Sequence, residues 1–166
     1  ENEWLFAIPT ITPGYEREQL GSPPIEPIAG IGKIIQHQKT EDGCYNVVIE
    51  GLFKAKIEPI IGTDTPYRLA TATILEDIYP EDTGEIENQF SNLRIILNAL
   101  KMVWVDAPKG LIDWLLSAES PAVLSNRISS TLFENTDAQS ELLQCLDVSQ
   151  RLNTGLERVI ELLSIA

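Results

Sequence analysis

The sequence predicts an α+β fold in which a strand-rich first half is followed by a helical second half. Three features predict it. Residues 1–79 contain most of the ten prolines and the strand-like segments. From Ile86 onward apolar residues return about every 3.6 positions, the period of one helix face. The two patterns occupy separate halves of the chain instead of alternating, which favours α+β over α/β. The expected division is a β subdomain over residues 1–80 and a helical subdomain over 86–166.

Within the first half, Trp4-Leu5-Phe6-Ala7-Ile8 is an apolar run closed by Pro9, as a short buried strand requires. Residues 12–27 carry Pro13, Gly14, Gly21, Pro23, Pro24 and Pro27 and read as a long irregular loop. A strand is expected from Ile28 to Lys39, closed by the turn Thr40-Glu41-Asp42-Gly43, where glycine accepts positive φ. In the following strand, Cys44 to Glu50, Tyr45, Val47 and Ile49 alternate with Cys44, Asn46, Val48 and Glu50, the pattern of a half-buried strand. Gly51 marks a bulge or bend. Beyond it Phe53, Ala55 and Ile57 share one side, and Leu52, Lys54 and Lys56 the other. A loop through Gly62-Thr63-Asp64-Thr65-Pro66 leads to a last strand, Tyr67 to Leu75.

In the second half Phe90, Leu93, Ile96, Leu97, Leu100 and Val103 form the apolar stripe of one helix, broken at Asp106-Ala107-Pro108. Leu111, Trp114 and Leu115 belong to a short second helix. Ser120-Pro121 pairs an N-cap with proline at the first helical position, and that third helix runs to about Leu132. Thr136 or Asp137 caps a fourth helix, through Leu146. Asp147 with Gln150 fits a capping box for the last helix, whose apolar face is Leu152, Leu156, Val159, Ile160 and Leu163. Gly155 lowers that helix's propensity by about 1 kcal/mol relative to alanine, so packing must hold it.

The formal net charge is −13 and the sequence pI about 4.4. Such a chain repels phosphate backbones and anionic lipid, which argues against nucleic-acid and membrane partners. No apolar run approaches the ~20 residues that span a bilayer. Two cysteines and one histidine cannot supply the four or so ligands of a structural zinc site. Cys44 and Cys145 read as small buried hydrophobes, and free thiols without a signal peptide suggest a reducing, cytoplasmic setting. Gly30-Ile31-Gly32-Lys33 lacks the spacing and the following Ser or Thr of a phosphate loop and reads as a sharp bend in a strand. His37 has no second base or paired thiol and reads as a solvated residue. Glu41-Asp42 and Glu81-Asp82 read as turn residues, since glycosidase carboxylates must face each other across a cleft. No catalytic residue, cofactor site or metal site is assigned. Trp104 and Trp114 flank the break at Pro108; packing is the default for both, and a contact to an apolar peptide by one of them is the alternative.

Several segments, taken in order, resemble the N-terminal substrate-binding domain of the Lon family of ATP-dependent proteases. They are Ala29 to Ile34 with Gly32, then Asp42-Gly43, then Val47 to Ile57 with Glu50-Gly51 and Lys54, and Pro66-Tyr67 opening the next strand. In the helical half they are Ser120 to Leu124, Leu142-Leu143, Leu146-Asp147-Val148, Arg151-Leu152 and Leu162-Leu163. No single piece is specific; the ordered series at consistent spacing is. Lys54 stands where the family usually has Arg, which weakens bidentate hydrogen bonding there, and Ala29 stands where Gly is common. The family's opening Leu-Pro-Leu-Phe-Pro type run is absent, so the first barrel strands are expected to be missing and the exposed edge to be covered by another segment. The resemblance implies a six-stranded, partly closed antiparallel β-barrel of the PUA-like kind, followed by a small helical bundle.

It also implies function. Lon proteases hydrolyse ATP and cut peptides with later domains, and neither set of motifs is present here. The expected role is a non-catalytic module binding unfolded or degron-bearing polypeptides, working with a protease or ATPase component. Two other readings stand beside it: an adaptor for one folded partner, and an RNA-binding PUA-like module, which the −13 charge opposes.

Overall fold

The computed structural model describes residues 5–15, 17, 22–60 and 65–165. Trp4, Gly21 and Gly62-Thr63-Asp64, which the sequence assigns to a strand and to loops, lie outside them. The chain divides into two units, Glu1–Glu76 and Asp77–Ala166.

The first unit is an antiparallel sheet of β1 (Leu5–Ile8), β2 (Ile28–Lys39), β3 (Tyr45–Ile60) and β4 (Leu69–Leu75), paired in that order. Of the expected partly closed barrel, the described residues form this open four-stranded sheet, with no pairing between β1 and β4. The proline-rich stretch between β1 and β2 shows why the ladder is not longer. Ile11 and Ile25 meet in a single bridge, and Pro13, Pro23, Pro24 and Pro27 have no N–H to extend it. β4 begins two residues later than expected, leaving Pro66 and Tyr67 ahead of it.

The core of the sheet is small. Ala29 faces Ala55 and Ile31 faces Phe53 across β2 and β3; with Ile57 and Ile25 they form the apolar cluster. Their alternation with Lys54 and Lys56 matches the expected one-sided burial. The alternation of Tyr45, Val47 and Ile49 does not: Tyr45 to Val48 are exposed, and Ile49 is half-buried. The reason is strand length. β1 pairs with β2 only over Gly30 to Lys33, and β4 pairs with β3 only from Lys54 onward, so the outer part of the β2–β3 hairpin runs past both neighbours.

The second unit holds α1 (Thr83–Val103), α2 (Leu111–Leu116), α3 (Pro121–Thr131), α4 (Thr136–Gln144) and α5 (Val148–Ile165). Leu93, Leu97 and Leu100 of α1 meet Leu152 and Val159 of α5 and Leu124 and Ile128 of α3 in one buried cluster. Val103 and Ile160, expected on the apolar faces, are exposed: α1 reaches its capping turn at Trp104, and the inward face of α5 passes through Gly155 and Val159 instead. An alanine Cβ at position 155 would stand 3.1 Å from Ile128 Cγ2, so glycine lets α5 approach α3 closely.

The caps follow side-chain chemistry. The Gly84 N–H donates to Asp82 Oδ1 at 2.8 Å, starting α1 three residues before Ile86. Ser120 Oγ accepts from the Val123 N–H above Pro121, as expected. Asn135, not Thr136 or Asp137, caps α4, its Oδ1 accepting from the Asp137 N–H at 2.8 Å. Asp147 Oδ1 accepts from the Gln150 N–H at 3.0 Å.

Candidate functional site

The projecting part of the hairpin is shaped by two bulges of opposite sense. Ile31 pairs with Phe53 and Gly32 with Gly51, which leaves Leu52 as an extra residue on β3. Ile34 pairs with Ile49 and Gln36 with Val48, which leaves Ile35 extra on β2. Such bulges raise local twist and re-aim side chains. Gly32 is required here for space: a Cβ would stand 2.6 Å from the Glu50 carbonyl oxygen and 2.6 Å from Ile49 Cγ2. Phe6 of β1 is in register with Gly32, and Gly32 with Gly51, so one aromatic ring stands in a row otherwise without side chains. Lys33 pairs with Glu50 at 3.3 Å, an exposed ion pair that contributes little.

At the tip, Gly43 takes φ of +85°. Asp42 accepts from the Thr40 hydroxyl and, at 3.1 Å, from the Cys44 N–H. These hydrogen bonds, the one from Thr40 foremost, hold the Asp42 carboxyl below its usual pKa. His37 lies edge-on to Tyr45, ring centroids 6.1 Å apart. Cys44 at the tip is exposed and Cys145 half-buried, so neither is the buried hydrophobe the sequence suggested. Each sits at the end of an element, outside its packed face.

The surface this creates is apolar. From Tyr45 to Phe53 the strand carries one charged side chain, Glu50. Tyr45 is 56% exposed, Val48 49% and Leu52 41%, and Leu5, Phe6, Ile8, Ile35 and Ile74 of the same sheet are exposed as well. Large exposed apolar patches are where interaction surfaces are sought. The sequence carried a signal for it, the run Val47-Val48-Ile49, which periodicity alone assigns to a half-buried strand.

The other singled-out residues occupy two separate environments. Lys54 sits on β3 in register with Gly30 and Leu75, and Tyr67 is exposed, its carbonyl accepting from Thr65 Oγ1 at 2.7 Å. In the second unit Asp147, Arg151 and Leu152 open α5. The Arg151 side chain is wholly buried. Its Nη1 donates to Asp77 Oδ1 and to the Cys145 carbonyl, both at 2.8 Å, and its Nε donates to Ser125 Oγ at 3.2 Å. Nη2 is buried without a hydrogen-bond partner among the described residues. Ile78 exchanges hydrogen bonds with Leu146 and Val148 at 2.9 and 3.0 Å, so Arg151 and this bridge pin the segment at Asp77-Ile78 to the start of α5. The sequence singled out Arg151 but not its partners Asp77 and Ser125, because their separation of 74 and 26 residues leaves no local pattern.

Trp104 follows the last turn of α1 and packs against the helical core. Trp114 is 43% exposed and lies under the Arg127 guanidinium, 4.7 Å from ring centroid to Cζ, a cation–π contact. Among the described residues no three His, Cys, Asp or Glu side chains converge as metal ligands, and no helix is long and apolar enough to cross a membrane.

Residues 1–164 match the family model of the ATP-dependent protease La (LON) substrate-binding domain. The chain is 24% identical over 148 residues to a Lon protease of Desulfosudis oleivorans, covering 89% of this chain and 18% of that protein. It is 28% identical over 144 residues to a Lon protease of Halothermothrix orenii, covering 83% and 18%. The chain thus spans about a fifth of the length of these relatives. Among solved structures, the N-terminal domain of Mycobacterium avium complex Lon protease superposes with a TM-score of 0.65 at 19% identity, covering 96% of this chain and 91% of that one. That likeness establishes a shared fold.

Proposed function

The chain belongs to the LON substrate-binding domain family, and from that premise we propose that it is a non-catalytic module that captures unfolded or degron-bearing polypeptides. The observation that carries this reading is the solvated apolar surface of the sheet, concentrated along the outer β2–β3 hairpin. Unfolded chains differ from folded ones in exposing apolar side chains and unpaired backbone together, and this surface offers a counterpart to both. Its shallowness suits low sequence demand. The net charge of −13 favours clients with basic segments and keeps the module soluble between encounters.

No phosphate loop occurs in these 166 residues. In this reading ATP hydrolysis and peptide cleavage belong to a protease or ATPase component that receives the captured chain, in a reducing, cytoplasmic setting.

The test is a fluorescence-anisotropy titration with reduced, carboxamidomethylated lysozyme at physiological salt, with native lysozyme as a folded control. Saturable binding of the unfolded form alone, at micromolar concentration, is the expected result. Equal binding of both forms, or none at high micromolar concentration, contradicts the reading.

A further inference from the structure

The geometry points to a receptor, formed by Trp114 and Arg127, for the C-terminal carboxylate of a client chain that ends in an apolar residue; this rests on the polypeptide-capture reading and adds a second contact to it. The Arg127 guanidinium, on α3, lies over the Trp114 ring of α2, 4.7 Å from Cζ to the centroid. Its Nη1 donates to the Trp114 carbonyl and, at 3.0 Å, to Ser117 Oγ. Those contacts hold the group in one orientation and occupy one of its three nitrogens. Nε and Nη2 donate to nothing among the described residues, and neither is buried. Together they form one edge of the guanidinium, the fork that takes a carboxylate through two parallel hydrogen bonds. Capping the carbonyl end of α2 uses Nη1 and leaves that edge over.

Local charge and spacing identify the occupant. The chain has 25 acidic residues against 12 Lys and Arg. Yet no carboxylate of the described residues lies within 4.0 Å of Arg127. Asp113 of α2 is paired with Lys101 of α1, and Glu119, between α2 and α3, pairs with neither Arg127 nor Arg94. Arg94 of α1 donates to the Ala118 carbonyl at 3.2 Å and has no carboxylate partner among the described residues. Two guanidiniums are thus anchored on consecutive residues, Ser117 and Ala118, and a carboxylate arriving there meets positive charge although the whole chain is acidic. Trp114 is 43% exposed, so indole surface remains open beside the guanidinium. Ring and guanidinium are 4.7 Å apart, close enough for one ligand residue to touch both. Only a C-terminal residue carries a carboxylate and an apolar side chain on one Cα. An internal Asp or Glu has its carboxylate in place of the apolar group.

The probe is a labelled eight-residue peptide of glycine and serine ending in phenylalanine with a free carboxylate, titrated by anisotropy against the whole chain. Its C-terminal amide keeps the ring and loses the charge, and is expected to bind at least tenfold more weakly. The free acid ending in serine loses the indole contact and binds about fivefold more weakly. Arg127→Lys keeps the positive charge without the fork or the stack; it weakens the free acid about tenfold and leaves the amide unchanged. The comparison of acid with amide uses the unaltered chain, so it decides the matter even where a variant fails to fold. An amidated peptide with glutamate before its phenylalanine tests the other source of a carboxylate; if it binds as tightly as the free acid, the C-terminal assignment is overturned. If Arg127→Lys folds and binds the free acid as the parent does, the carboxylate sits elsewhere and the site is wrong. If unfolded lysozyme binds but acid and amide bind equally, or neither peptide binds, the site is wrong while capture stands. If neither lysozyme nor peptide binds, both readings fall.

Discussion

The Arg151 guanidinium, with no solvent exposure of its side chain, lies 2.8 Å from the carboxylate of Asp77, 74 positions earlier in the chain. The pair joins the first residue of the helical unit to the first turn of its last helix. Removing Asp77 leaves a buried cation without its counter-charge. Asp77→Ala is therefore expected to cost about 3–5 kcal/mol. Arg151→Met removes the charge and keeps most of the volume; it leaves a carboxylate that water still reaches, and costs about 1–3 kcal/mol. Urea unfolding of both variants checks the order: Arg151→Met as the worse of the two would contradict the account.

Gly32 and Gly30 lie two residues apart in β2 yet predict opposite outcomes. A methyl at Gly32 meets the Glu50 backbone at 2.6 Å, and one at Gly30 meets nothing within 4 Å. Gly32→Ala is expected to destabilise by about 1–3 kcal/mol, because backbone must move. Gly30→Ala stays within about 1 kcal/mol of the parent, its lost entropy in the unfolded chain helping if anything. Thermal unfolding distinguishes them.

The α3–α5 contact gives a coupled pair. Gly155→Ala gains about 1 kcal/mol of helix propensity and spends it against Ile128 Cγ2, so its net effect is near zero. Ile128→Ala costs about 2–5 kcal/mol alone. In the Ile128→Ala background Gly155→Ala becomes stabilising, with a coupling of at least ~0.5 kcal/mol in the double-mutant cycle.

Asp42 titrates below its usual range in the folded chain because Thr40 and the Cys44 N–H stabilise its charged form. A folded pKa below the unfolded one means that its contribution is present above the unfolded value and is lost as pH falls through the folded one. A carboxyl NMR titration is expected to place its midpoint below that of an unperturbed aspartate, and Thr40→Ala to move it upward.

Much of the fold was legible in the sequence because local chemistry determines it. Ser120-Pro121 marks a helix start through one cap and one missing N–H, and Asp42-Gly43 marks a turn through positive φ. The alternation of Phe53, Ala55 and Ile57 reports a buried face correctly because neighbouring strands flank it. The same alternation at Tyr45, Val47 and Ile49 misleads, since periodicity records which side chains share a face and not whether anything covers that face. Burial of this hairpin depends on the lengths of β1 and β4, which lie outside any local window. Arg151 could be singled out by resemblance, but its partners Asp77 and Ser125 are brought to it only by tertiary packing.

The central claim is that the outer β2–β3 hairpin grips non-native chains. The most direct measurement is an amide NMR titration of the whole chain with reduced, carboxamidomethylated lysozyme. Shift changes and broadening concentrated between Ile34 and Phe53 are the predicted result. Changes confined to the helices of Asp77–Ala166, or a spectrum unmoved at high micromolar ligand, would contradict it.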